Sequence, residues 1–131
     1  MTFHLSTRSL NNLIHVHPDL IGVVELAIQK TPVDFCVTEG LRSPERQARL
    51  VKAGASKTLK SRHLTGHAVD LAAIVDGKIR WDWPLYFKIA EAMKAAAKEE
   101  NVSIVWGGDW KMKDGPHFEL SRKVYPATRS V

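Results

Sequence analysis

Asp76-Gly77 stands between the apolar run Val69 to Val75 and the short run Lys78 to Trp81. A two-residue loop of this kind supplies the positive backbone angles of a tight hairpin, so the two runs pair antiparallel. An antiparallel pair in mid-chain needs a layer to cover its apolar face. Pro18 to about Lys30 offers one: Leu20, Val23, Val24, Ala27 and Ile28 recur at helical spacing, Pro18 suits the first turn, and Thr31-Pro32 ends the run. Pro84 to Glu100 offers another, with Leu85, Ile89, Met93 and Ala96 on one face. Shorter helices are expected from Ser6 to Leu13, with Ser6 as cap, and from Ser43-Pro44 to a stop at Gly54. Phe35 to Glu39, Val102 to Trp106 and His117 to Leu120 read as further strands, and the polar, basic stretch Ala55 to Gly66 as loop. The expected fold class is α+β: a small single domain, 1–131, with a central, mainly antiparallel sheet and flanking helices. Trp81 and Trp106 are expected in its core, and the basic C-terminal tail from about 121 is expected to be flexible.

Composition removes some classes of function. Hydrophobic residues at 44% and charged residues at 25% exclude a disordered chain. A formal charge of +5 and a pI near 9.5 fit an acidic partner, such as nucleic acid or the carboxylates of peptidoglycan stem peptides, and equally a solvated basic surface that aids solubility. Lys57, Lys60 and Arg62 are the densest basic group. The single cysteine, Cys36, permits no internal disulfide and reads as a buried, inert thiol. The N-terminus lacks the charged start and apolar stretch of a signal peptide, and no run approaches the ~20 apolar residues of a membrane span. A cytoplasmic protein with no membrane insertion is expected, reaching any external target only after release.

Two segments carry the chemistry: Ser61-Arg62-His63-Leu64-Thr65-Gly66-His67-Ala68-Val69-Asp70 and Asp114-Gly115-Pro116-His117-Phe118-Glu119-Leu120. Together they hold histidines and carboxylates, the ligand types of a hydrolytic zinc site. A turn at Gly66 would fold His63 back toward Asp70. Strand pairing would place His117 beside Asp70, with Asp114 held near by the Gly-Pro turn. His63 and His67 have the i, i+4 spacing of helical zinc ligands, but Thr65-Gly66 disfavours a helix there.

The pattern S-x-H-x-x-G-x-A-x-D on Ser61, His63, Gly66, Ala68 and Asp70, followed by Asp114 and His117, resembles the D-alanyl-D-alanine metallopeptidase family, of hedgehog/DD-peptidase-like fold. The likeness runs from Glu39-Gly40-Leu41-Arg42-Ser43 to Glu119. Short length and the segment Trp106-Gly107-Gly108-Asp109-Trp110 look most like its phage L-alanyl-D-glutamate endopeptidase (endolysin) branch. The resemblance implies one zinc ion per chain, held by His63, Asp70 and His117. It implies Asp114, where many relatives have Glu, as general base and then acid. Arg42 would lie over the scissile carbonyl and stabilise the developing oxyanion. Ser61, Asp109 and Trp110 are expected to contact substrate. Glu119 is expected either to orient a ligand or to form a structural salt bridge, and His67 to lie behind the ligands or on the surface. The implied function is bacteriolytic hydrolysis of peptidoglycan stem peptides between L-Ala and D-Glu by a phage or prophage monomer, with a holin-type membrane-permeabilising partner. The alternatives are a D-alanyl-D-alanine carboxypeptidase or dipeptidase, and a non-catalytic zinc-containing module that binds the cell wall. Nucleic-acid binding has no recognition motif in its favour.

Overall fold

A computed structural model describes residues 2–56 and 58–126. Lys57 of the basic group and residues 127–131 of the tail lie outside the described residues. The elements are α1 (Thr7–Asn12), α2 (Pro18–Lys30), β1 (Asp34–Glu39), α3 (Pro44–Lys52), β2 (Ala68–Val75), β3 (Lys78–Arg80), α4 (Trp83–Glu100), β4 (Ile104–Trp106) and β5 (His117–Leu120). Short 3-10 turns occupy Arg62–Thr65 and Gly107–Asp109.

The helices start where their capping chemistry places them. Ser6 Oγ accepts from the Ser9 amide and Ser43 Oγ from the Arg46 amide, each at 3.1 Å. His17 caps α2, its Nδ1 accepting from the Asp19 amide at 3.0 Å. The hairpin turns at Asp76 and Gly77 with φ of 53° and 76°, the left-handed angles its sequence supplies.

All strand pairings are antiparallel, in the order β1-β2-β5-β4, with β3 paired to the far half of β2. Alternation gives β2 two different faces. Val69, Leu71 and Ala73 join Phe35, Val37 and Phe118 in the core formed with α2 and α4. Leu20, Val23 and Val24 of α2 are fully buried there, and each such side chain contributes about 1.5–3 kcal/mol. Asp70 lies on the opposite face, directly across from His117, and Ala68 lies across from Glu119. A bulge between Val37 and Glu39 shifts the register so that Glu39 pairs with Asp70, which re-aims its side chain. One face of the sheet therefore holds hydrocarbon and the other holds ionisable groups.

Three expectations change here. The stretch Ala55 to Gly66 is not all surface loop: it ends in a 3-10 turn that buries Arg62 and His63. Arg62 goes inside because partners await it: its guanidinium donates to the Leu120 carbonyl at 3.0 Å and the Tyr125 carbonyl at 2.7 Å. The tail is consequently bonded to the body as far as Tyr125, whose hydroxyl donates to Asp19 at 2.6 Å. Trp81, past the end of β3, is 56% exposed and outside the core, whereas Trp106 is buried. Cys36 is half-buried, and burial pushes its thiol pKa up, away from reactivity. No helix among the described residues is long and apolar enough to cross a membrane.

Gly40 follows β1 where the chain crosses the end of α1. A Cβ there would lie 2.0 Å from the Asn12 carbonyl oxygen and 2.7 Å from Val16. Backbone cannot yield as a side-chain end can, so Gly40→Ala is expected to destabilise the protein by about 3 kcal/mol. Denaturant unfolding reads this, and an unchanged midpoint would contradict it.

Candidate metal centre

His63, from the 3-10 turn, Asp70, from β2, and His117, at the start of β5, converge on the polar face of the sheet. Their ligand atoms all lie within 4.8 Å of one another. Asp70 Oδ1 is 3.2 Å from His63 Nε2 and 3.3 Å from His117 Nδ1.

What surrounds the imidazoles decides which nitrogen faces inward. His63 Nδ1 is 2.9 Å from the Gly40 carbonyl oxygen. A carbonyl only accepts, so Nδ1 carries the proton and Nε2 presents its lone pair to the centre. His117 Nε2 is 2.8 Å from Glu119 Oε1, which leaves Nδ1 facing inward. Two oriented imidazoles and one carboxylate form the donor set of a hydrolytic zinc site with one position left for water, so the residues present fit that ion. Without the ion, burial alone would push Asp70 up, but hydrogen bonds and charge from His117 and His63 hold it well below the usual carboxylate range. Burial would lower His117, yet Asp70 and Glu119 outweigh it and raise its pKa to about 9.

Asp114 stands beside this set on the turn that leads into β5. Its amide donates to the Gly107 carbonyl at 2.9 Å, and its own carbonyl accepts from the His117 amide at 3.2 Å. Gly107 is required there, since a Cβ would lie 2.4 Å from the Asp114 carbonyl oxygen. Burial, and then the charge of Asp70, raise the Asp114 pKa above the ordinary aspartate value. That shift moves a carboxylate toward the range of a useful general base.

Arg42 is buried at the same cleft. Its Nε and one terminal nitrogen donate to Glu39 at 2.9 and 2.6 Å, and the other terminal nitrogen donates to Gln47 Oε1 at 2.7 Å. The guanidinium reaches to 3.6 Å from Asp70. Sequence reasoning missed Glu39 and Gln47. Gln47 is fully buried and also donates to Ser56 Oγ at 2.9 Å and to the Thr58 carbonyl. Its signal was a polar residue three and four positions before Leu50 and Val51, on the face of α3 those apolar residues turn inward.

The other expected residues divide. Ser61 lines the cleft, and its Oγ accepts from the His63 amide at 3.2 Å. Trp110 forms a wall, its ring 5.0 Å from that of His117. Glu119 lies behind His117 and also faces Arg62 Nε at 3.8 Å, so it bonds a candidate ligand and sits in an ion pair at once. Asp109 is not in the cleft: its carboxylate accepts from Lys94 at 2.8 Å beside a separate hollow at Trp106 and Phe87. His67 is not there either. Three residues from Asp70, it falls on the other side of the strand alternation, bonds Thr65 Oγ1 at 2.7 Å and packs near His17. The cleft encloses about 440 Å³, with Arg46 and Arg122 on its rim.

Glu119→Gln removes the charge that holds His117 in place. Metal affinity is expected to fall about 10–100-fold, read by competition with a chromophoric chelator; wild-type affinity would remove Glu119 from the site.

Two imidazoles and a carboxylate around one point could hold a metal ion, and with a second carboxylate beside them the set has the form of a hydrolase site. A model of the phage L-alanyl-D-glutamate peptidase family matches residues 1–129, and the chain belongs to that family. It is 32% identical over 129 residues to the L-alanyl-D-glutamate peptidase of Escherichia phage T5, across 95% of this chain and 94% of that protein. It is similar to the crystal structure of the Serratia marcescens L-Ala D-Glu endopeptidase ChiX at 51% identity and a TM-score of 0.90, covering 95% of each chain. The vancomycin-resistance D,D-dipeptidase VanXYg shares the fold, with a TM-score of 0.52 at 23% identity over 80% of this chain and 50% of its own.

Proposed function

We propose that the protein is a zinc-dependent peptidoglycan endopeptidase that hydrolyses the L-Ala–D-Glu bond of the stem peptide. The observation that carries this reading is the convergence of His63, Asp70 and His117, each imidazole fixed by an oxygen acceptor, in a chain of this family. When bound, zinc would supply a Lewis acid and a water of lowered pKa. Everything else is done by the chain. His63, His117 and Asp70 would hold the ion. The Asp114 carboxylate accepts the proton of the attacking water and returns it to the amide nitrogen as that nitrogen leaves, so one residue serves as base and then acid. Arg42, locked by Glu39 and Gln47, keeps a positive charge in the cleft for the developing oxyanion. The Trp110 ring shields one side from water. Domain 1–131 acts as a monomer, and a holin-type membrane-permeabilising partner gives it access to the wall.

Digestion of purified peptidoglycan with and without a zinc chelator, followed by mass spectrometry, tests this. The expected products carry a new D-glutamate amine and disappear with the chelator. Release of free D-alanine would instead assign a carboxypeptidase, and chelator-insensitive or absent cleavage by folded, zinc-loaded protein would overturn the reading.

A further inference from the structure

Beside the metal cleft lies a second hollow, of about 240 Å³, that the chemistry above does not use. Trp81, Trp83 and Tyr86 line it together with the turn from Lys113 to Pro116. Asp114 lines both spaces, so the hollow continues the cleft across that turn. The turn packs on the aromatic rings: a Cβ at Gly115 would lie 3.3 Å from Tyr86 and 3.4 Å from Trp83. Trp81 is 56% and Trp83 40% exposed. Two large aromatic faces in water at the edge of a catalytic cleft point to a ligand that covers them.

The cleft and the hollow differ in the cations that line them. On the side of the cleft, Arg46 and Arg122 have side chains 50% and 67% exposed; Arg46 Nε pairs with Glu39 at 2.6 Å and Arg122 Nε lies 3.5 Å from Glu119, each guanidinium otherwise facing water. On the other, the aromatic hollow has a single cation, Lys113, whose ammonium donates to the Gly108 carbonyl at 3.2 Å. The substrate has the same asymmetry. Beyond the scissile bond come D-glutamate, with a free carboxylate, and a diamino acid. Before it come only L-alanine and the lactyl ether of N-acetylmuramic acid. The lactyl group is the length of one residue, so the sugar begins about 7 Å from the scissile carbonyl. A pyranose presents C–H bonds that stack on aromatic faces.

Resting on the endopeptidase reading, we propose that Trp81 and Trp83 form a platform for the N-acetylmuramic acid ring, while Arg46 and Arg122 face the acidic end of the stem peptide. This fixes the direction of the substrate across the site and makes the enzyme selective for stem peptides still attached to glycan.

The test compares two substrates in the zinc-loaded protein: a disaccharide-tetrapeptide, and the same tetrapeptide with its L-alanine N-acetylated in place of the sugar. The wild-type protein is expected to favour the disaccharide form by about tenfold in kcat/KM. In Trp81→Ala and Trp83→Ala that ratio is expected to fall toward one. Trp81 is the safer variant for folding, since more than half of it is in water. An unchanged ratio, or equal losses on both substrates, overturns the proposal. If neither substrate is cut by wild type, the endopeptidase reading fails, and the platform is judged by binding alone. Disaccharide-L-alanine should then quench tryptophan fluorescence in the wild type and not in Trp81→Ala; equal quenching in both, or none in either, overturns it. A dimer that buries Trp81, seen by sedimentation and abolished by Trp81→Ala, overturns it as well.

Discussion

Asp114→Asn is expected to lower kcat on muropeptides by about 10³-fold while the protein still binds one metal ion per chain. Asparagine keeps the size of the side chain and the backbone bonds to Gly107 and His117, but it cannot accept the proton of the attacking water. Folding should not suffer. Burial and Asp70 raise the Asp114 carboxyl. An acid raised in the folded state contributes stability below its ordinary value of 3.8, and that contribution is lost as pH rises through the folded value. In the metal-free protein at neutral pH the ionised group therefore works against the fold, and with chelator present the variant should melt at or above the wild-type temperature. Turnover, metal content and thermal unfolding together decide the matter. Retention of wild-type kcat would remove Asp114 as base, and loss of the metal would make it a ligand.

Asp70→Asn should act earlier in the chain of cause, by emptying the site. Among the described residues, Asp70 is the one anion shared by His63, His117 and Arg42. Replacing a ligand should cost more than the ~10–100-fold lost with an outer partner, so metal content should fall toward zero and activity with it. The metal-free wild type has a second signature. His117, raised to about 9, contributes stability in full below 6.5 and loses it as pH rises through about 9. Asp70, held low, contributes above 3.8 and loses that on acidification. From these two groups the chelated protein is most stable between 3.8 and 6.5. Asp70→Asn should weaken both the acid loss and the alkaline loss. Thermal unfolding from pH 3 to 10 with chelator present reads this directly; a variant that keeps its metal, or the wild-type pH profile, would contradict the role given to Asp70.

The two motifs were legible because each packs its chemistry into a few consecutive residues. His63 and Asp70 flank one turn, and Asp114 and His117 flank another. The helices were legible from capping residues and period, and the hairpin from Asp76-Gly77. What stayed hidden depends on partners distant in sequence. Nothing local says that Arg62 is buried, because its partners are carbonyls at 120 and 125. Glu39 reaches the cleft only through a bulge, which no residue type announces. Arg42 was marked by the family resemblance, but its partner Gln47 was not, because only the closed fold brings the two together. Asp109 and Trp110 are neighbours in sequence, yet only Trp110 faces the cleft. Trp81 reads as a core residue on hydrophobicity alone, yet it stands 56% exposed because it lies past the end of β3.

His117 stands at the head of the last strand, and its partners Asp70 and His63 lie far earlier in the chain. The order of synthesis therefore matters. Long-range strand pairing of this kind forms slowly, and until β5 zips onto β2 only two of the three proposed ligands stand together. On the proposed chemistry, partial products of the ribosome and fragments clipped before residue 114 lack both the base and one ligand, and so are inert by construction.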